Sequence, residues 1–294
     1  MNWQQEIIEL VIKYFSSIGI AYNPKANVQG CLIDFMNLQM KLIKPVPRDV
    51  FKSDALKSRR IPFEHMRAFN SIVDKIRKGV DITYHQSKRT LEPTYPDLLL
   101  NDWIIHHLHL SDIVTEKSKP FFDRSDYLLF AIFGKSQAFL IDVREHGEKN
   151  VFAKKELLEI IDNTWPALLK QDTGEDAFFF ANNYSDAEID TLRRKGYSLN
   201  RTIVNGKVII NPGIGITTTG HNTQVVQRAN WVIRYIQDAL MEIDKDEEGM
   251  KRALCEAANT EIKELDICIE LLAQWPFFAV RERNTQYFIE KRYN

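Results

Sequence analysis

Three runs in the middle of the chain, IIHHLHL (104–110), YLLFAIF (127–133) and QAFLIDV (137–143), decide how it folds. The second and third are short, aromatic and β-branched, and the GKS at 134–136 between them reads as a hairpin turn. Both are almost continuously apolar, so both faces of this hairpin are expected to be covered. Upstream, DLLLNDW (97–103) begins as a helical or turn segment and passes into IIHHLHL, a third strand if it pairs with the hairpin. Downstream, FAKKELLEIIDNTWP (152–166) is helical by period and ends at Pro166.

Working outward, Trp3, Ile7, Val11, Tyr14 and Phe15 recur at helical spacing, and GIAYNPKAN (19–27) breaks the pattern. A second helical pattern around Leu32–Leu42 ends before Pro45 and Pro47. Pro62, in a first turn, opens a third helix that stops at Gly79. On the other side, Ser185 stands three residues before Glu188, a capping box, and Gly196 ends that helix. LNRTIV (199–204) and KVIIN (207–211), joined by Asn205-Gly206, predict a second hairpin. The Gly/Thr loop PGIGITTTGHNT (212–223) leads into a long helix, and two further helices are expected within 247–274. The class is therefore α+β. A basic helical N-terminal region (1–92) precedes a small central antiparallel sheet with flanking helices (93–170), then a C-terminal β-hairpin plus helices (171–294).

Hydrophobic residues make up 44% and charged residues 27% of the 294, a globular balance that excludes wholesale disorder. The formal charge of −1 excludes a uniformly basic nucleic-acid coat. Charge is nonetheless segregated: Lys44–Leu91 holds twelve basic residues against five acidic, and Asp238–Glu270 eleven acidic against four basic. No apolar run approaches the ~20 residues of a membrane span. The N-terminus lacks the pattern of a signal peptide. Cys31, Cys255 and Cys268 are odd in number and widely spaced, which predicts no disulfide or zinc framework. A soluble, cytoplasmic protein without membrane partners is expected.

Three of seven histidines lie within His106-His107-Leu108-His109. On a strand His107 and His109 share a face and His106 takes the other, whereas on a helix His106 and His109 would be neighbours. With Asp102 or Asp112 a histidine pair could bind a metal; with Arg or Lys it could run acid–base chemistry on a phosphodiester. Equally, such histidines can serve as hydrogen-bonding members of a polar seam in the core. Arg124 precedes the first strand of the hairpin, and Arg144 and His146 follow at the end of the second. A hairpin returns the chain, so these groups belong to one end of the sheet, where two cations and an imidazole suit a phosphate. Strand ends also carry charge simply because they meet solvent.

Arg124, LLFAIF (128–133), FLIDV (139–143) and His146, over about 70 residues, resemble the small microbial ribonucleases of the barnase–RelE fold. The resemblance implies a toxin or phage-defence ribonuclease that needs no metal, with RNA or DNA as partner and a cognate inhibitor protein or a second copy of the chain as a protein partner. It places Arg124, Arg144 and His146 around the phosphate with Lys154 or Lys155 nearby, and His107 and His109 join the catalytic set if IIHHLHL pairs with the hairpin. Arg59, Arg60, Arg77, Lys78, Lys88, Arg89 and Lys155 are then the candidates to hold the nucleic-acid backbone. The chain is longer and more neutral than such toxins.

One other enzyme reading and one non-enzyme reading stand beside it. Tyr95-Pro96-Asp97 supplies half of a restriction-type nuclease signature, and Asp142-Val143-Arg144 puts Arg where that Mg2+-dependent chemistry has Lys. The Gly/Thr loop lacks the Lys of a phosphate loop and follows a hairpin, so a structural turn is expected there, with Thr217–Thr219 and His221 as ligand contacts otherwise. In the non-catalytic reading the basic and acidic regions pair with each other or across a dimer.

Overall fold

The computed structural model describes residues 2–24, 27–179 and 181–289. In chain order the elements are α1 (Trp3–Ser17), α2 (Val28–Lys41), β1 (Asp49–Lys52), α3 (Asp54–Ser58), α4 (Phe63–Lys78), α5 (Leu98–Trp103), β2 (His106–His109), β3 (Tyr127–Phe133), β4 (Gln137–Glu145) and α6 (Glu156–Thr164). There follow β5 (Lys170–Gln171), α7 (Asp186–Arg194), β6 (Arg201–Val204), β7 (Lys207–Ile210), α8 (Thr223–Lys245), α9 (Glu247–Ala258), β8 (Ile267–Leu271), β9 (Phe278–Glu282) and β10 (Phe288–Ile289). The architecture is α+β. The chain forms two compact units, residues 1–36 with 225–294 and residues 37–224, which cut across the regions 1–92, 93–170 and 171–294. Among the described residues no helix is long and apolar enough to cross a membrane.

In the first unit, α1 buries Ile7, Val11 and Phe15, the stripe its periodicity predicts. Phe15 meets Tyr22 edge-on, and Phe35 meets Phe277 and Phe278 in the same way. The second helix expected within 247–274 is instead β8. Its ICIEL run is β-branched and apolar, and it pairs antiparallel with β9 along its whole length, where a three-stranded sheet satisfies its backbone.

The second unit holds the central sheet, in the order β1-β4-β3-β2. β2, β3 and β4 are antiparallel, as the hairpin predicts, and β1 adds a parallel strand on β4. One face carries Leu108, Leu129, Ala131, Leu140 and Val143 against Phe69, Ile72, Val73 and Ile76 of α4. Pro62 is the N-cap of α4 and so lies just outside its first turn. The other face carries Leu128, Phe130 and Ile141 against Leu157, Leu158 and Ile161 of α6 and Val204 and Ile209 of the second hairpin. That hairpin turns through Asn205 (φ 48°) and Gly206 (φ 73°), the left-handed pair that Asn-Gly supplies readily.

A β-bulge interrupts the β3–β4 ladder: Phe130 pairs with Asp142 while Ala131 pairs with Leu140, leaving Ile141 extra. The extra residue reverses the alternation beyond it, so Asp142 and Arg144 turn to the α6 face. There Asp142, with no exposed side-chain surface, accepts from Arg59 Nε (2.9 Å) and Nη2 (2.6 Å) and from Arg144 Nε (2.6 Å). Arg144 also reaches Glu156 (2.8 Å), so charge is matched within the cluster. Replacing Asp142 by Ala would remove the buried carboxylate between two guanidiniums and leave Arg144 with only the more exposed Glu156 and Glu148. Urea unfolding is expected to show a loss of about 3–5 kcal/mol, against less than about 1 kcal/mol for Lys78→Ala, which breaks only an exposed pair with Asp74. Equal effects would contradict this account of the cluster.

Candidate active-site cleft

The site begins with α5. Asp97 caps it, its Oδ1 accepting from the Leu100 N–H at 3.0 Å, and Ile104 in the left-handed region (φ 57°) ends it and turns the chain into β2. The Gly/Thr loop clasps this helix. Gly213 N–H donates to the Asp102 carbonyl (2.9 Å) and Asn222 Nδ2 to the Asn101 carbonyl (3.3 Å). A Cβ on Gly213 would stand 2.1 Å from the Asn101 oxygen, so the close approach requires glycine. The loop is thus a structural turn, as expected. His221 and Thr217 bond within it, His221 through its carbonyl, and neither lines the cleft.

β2 pairs with β3 so that His107 faces Phe130 and His109 faces Leu128. His107 and His109 therefore share the α6 face. His106 points the other way, buried and edge-on to Phe133. At the end of β4, His146 N–H donates to the Asp126 carbonyl (2.6 Å), and its ring stacks on His109 with centroids 5.7 Å apart. Arg124 follows the same loop to the same end. His107, His109, His146 and Arg124 all line one cleft of about 450 Å³, with Asp97, Tyr95 and Phe152 in its walls.

Burial favours the neutral form of His107 and His109. It holds His109 at a pKa of about 4, below the usual imidazole value, with His107, His146 and Arg124 adding repulsion. His107 is lowered by burial too, and Asp97 opposes that shift. His109 Nδ1 accepts from the Ser125 N–H (3.3 Å), so the neutral ring carries its proton on Nε2. His107 Nδ1 is buried without a hydrogen-bond partner among the described residues, with Asp97 Oδ2 at 3.9 Å. A proton on that nitrogen is drawn toward the carboxylate and leaves Nε2 as a free base.

The other expected residues lie elsewhere. Arg144 shares the sheet face of His109, but two strands away, about 10 Å, and is bound to Asp142 and Glu156. It is not available to a phosphate. Lys154 pairs with Glu148 (2.8 Å). Of the backbone-holding candidates, Arg89 lines the cleft and Lys88 lines an adjoining hollow. Arg59 is bound to Asp142, Lys78 to Asp74 and Lys155 to Asn183, and with the exposed Arg60 and Arg77 they lie outside the cleft. Asp142, saturated by two guanidiniums, is not left to hold a dication beside Asp97. Among the described residues no three His, Cys, Asp or Glu side chains form a metal-binding group.

Two buried cations in the walls escape sequence reading. Lys41 Nζ donates to the Glu92 (2.5 Å) and Tyr95 (3.1 Å) carbonyls. Arg193 pairs with Asp102 (2.5 Å), donates to the Phe152 carbonyl (2.6 Å) and lies over Trp103. Neither sits in a local pattern, because each partner is some 40–90 residues away in the chain.

Comparison with protein-family models, curated proteins and solved structures finds no match for this chain.

The depressed histidines fix a sign. An imidazole that titrates near 6.5 in the unfolded chain and near 4 when folded stabilises the protein fully above about pH 6.5, and that stability is lost as pH falls through about 4. His106, also held near 4, acts in the same direction. NMR titration of the His109 ring is expected to give a midpoint near 4, and the melting temperature should fall between pH 6.5 and 4. A His109 midpoint near 6.5 would contradict the desolvated cleft.

Proposed function

We propose that this cleft cleaves RNA by metal-independent acid–base chemistry. The observation that carries this reading is the convergence of His107, His109, His146 and the exposed Arg124 on one cleft. His107, oriented by Asp97, takes the proton of a ribose 2′-OH through its free Nε2. The 2′-oxygen attacks the adjacent phosphorus, the bond to the 5′-oxygen breaks, and His146 protonates the departing oxygen. His109 Nε2–H and Arg124 hold the phosphate oxygens as charge builds on them. The lowered pKa of His107 suits its part as the base, because burial keeps its ring neutral and able to take the 2′-OH proton.

A toxin or phage-defence role follows from the resemblance to the barnase–RelE ribonucleases, and RNA is the partner it requires. We place the protein in the cytoplasm, a reading supported by three cysteines that form no disulfide among the described residues.

Purified protein incubated with RNA in EDTA is expected to cut it. His107→Ala or His146→Ala should each lower the rate by about 10²-fold or more, while Arg144→Lys, outside the cleft, should cut within a few-fold of wild type. RNA left intact in EDTA, or a loss in Arg144→Lys as large as in the histidine variants, would overturn the assignment.

A further inference from the structure

The cleft does not end at Arg124. A second hollow of about 390 Å³ opens beyond it, and the two share Ser87, Arg89, His109 and Arg124 as a common wall. On the first side the wall faces Tyr95, Leu98 and Phe152, with Asp97, Asp190 and Arg194 also in the lining. On the second side Lys88 and Lys117 join Arg89 and Arg124, four cations against the carboxylates of Glu92 and Asp123. The rings of the second hollow are already engaged: Phe122 stacks on His85 at 4.0 Å and lies under the Lys75 ammonium, and Phe121 meets Tyr84 edge-on. Asp123 Oδ1 accepts from the Thr115 hydroxyl (2.9 Å) and N–H (3.3 Å) and lies within electrostatic reach of Lys88. At its rim the second hollow offers a ligand positive charge, the exposed Lys117 beside Lys88, whose ammonium also donates to the Lys117 carbonyl.

Resting on the reading of the cleft as a nucleic-acid site, we propose that the second hollow seats the neighbouring phosphate of a single strand. One phosphodiester lies on the His109–Arg124 wall, its nucleoside enters the aromatic side, and the next phosphate along the chain rests against Lys88 and Lys117. A base lodged beside Tyr95 and Phe152 has left any helical stack, so the ligand is an unpaired strand of at least two nucleotides.

The test uses a non-cleavable ligand, so that binding is read apart from catalysis. A 2′-O-methyl pentauridylate, the same strand paired to its complement, and uridine monophosphate are titrated against the full chain and two variants. Lys117→Glu reverses charge at the second hollow. Lys135→Glu does the same in the β3–β4 turn, at the opposite end of the hairpin from His109. The single strand is expected to bind at least 10-fold tighter than the duplex or the mononucleotide. Lys117→Glu should weaken it about 10-fold, leave mononucleotide binding unchanged, and reduce the slope of log affinity against log salt by about 0.7, the value for one phosphate contact on a single strand. Lys135→Glu should change it less than about 2-fold. Equal affinity for strand and mononucleotide, or equal losses in the two variants, would overturn the proposal. If the strand binds as expected and RNA is not cut, the acid–base reading falls and the subsite stands. If RNA is cut and Lys117→Glu binds the strand normally, the subsite alone falls.

Discussion

Everything in the cleft depends on the register of β2 against β3. His107 opposite Phe130 and His109 opposite Leu128 put two imidazoles on the α6 face and leave Leu108 for the α4 core. A slip of one residue would reverse this, sending His106 and Leu108 to the cleft and burying His107 and His109 beneath α4. Burial on both faces penalises the slip, since it would put imidazoles in one apolar layer and remove Leu108 from it. The segments before β3 and after β4 then close the site: one backbone bond, from His146 to Asp126, holds His146 and Arg124 at the end where His109 already stands.

The cations of this unit fall into two groups. Arg59, Arg144 and Arg193 have carboxylate partners and act as structure, tying β4 to α3 and α6 and tying α7 to α5. Arg124 and Lys117 are exposed at the hollows, where an anion can reach them. The same separation applies to the histidines. His65 bonds the Leu110 carbonyl, His85 meets Lys75, and His106 packs on Phe133, whereas His107, His109 and His146 face the cleft. Burial lowers the pKa of His107 and His109 and keeps those two rings neutral at pH 7, so the cleft presents hydrogen-bonding imidazoles beside the exposed cations Arg89 and Arg124.

Much of this was legible in the chain because it is local. The two hairpins, the capping box at Ser185 and the end of α4 at Gly79 follow from spacing and turn chemistry within a few residues. The meeting of Arg124 and His146 followed from one topological step, that a hairpin returns the chain, and His107 and His109 joined them through a second, the pairing of IIHHLHL with that hairpin. The part played by Arg144 was not legible. Alternation along QAFLIDVRE assigns it a face, and the bulge at Ile141 changes that assignment through the packing of another strand. β1 was missed because DVFK is short and gains its partner β4 from some 90 residues away. Lys41 and Arg193 were missed for the same reason: a buried cation is defined by long-range partners that no local pattern encodes.

The account is tested most directly by the chemistry of the cut ends. A DNA strand carrying a single ribonucleotide, incubated with the protein in EDTA, should be cut only at that residue, and mass spectrometry should find a 2′,3′-cyclic phosphate on one product and a free 5′-hydroxyl on the other. Cleavage of the all-DNA strand, a 5′-phosphate product, or an intact ribonucleotide strand under conditions where the protein is folded would contradict the assignment of His107, His146 and Arg124 to 2′-hydroxyl attack.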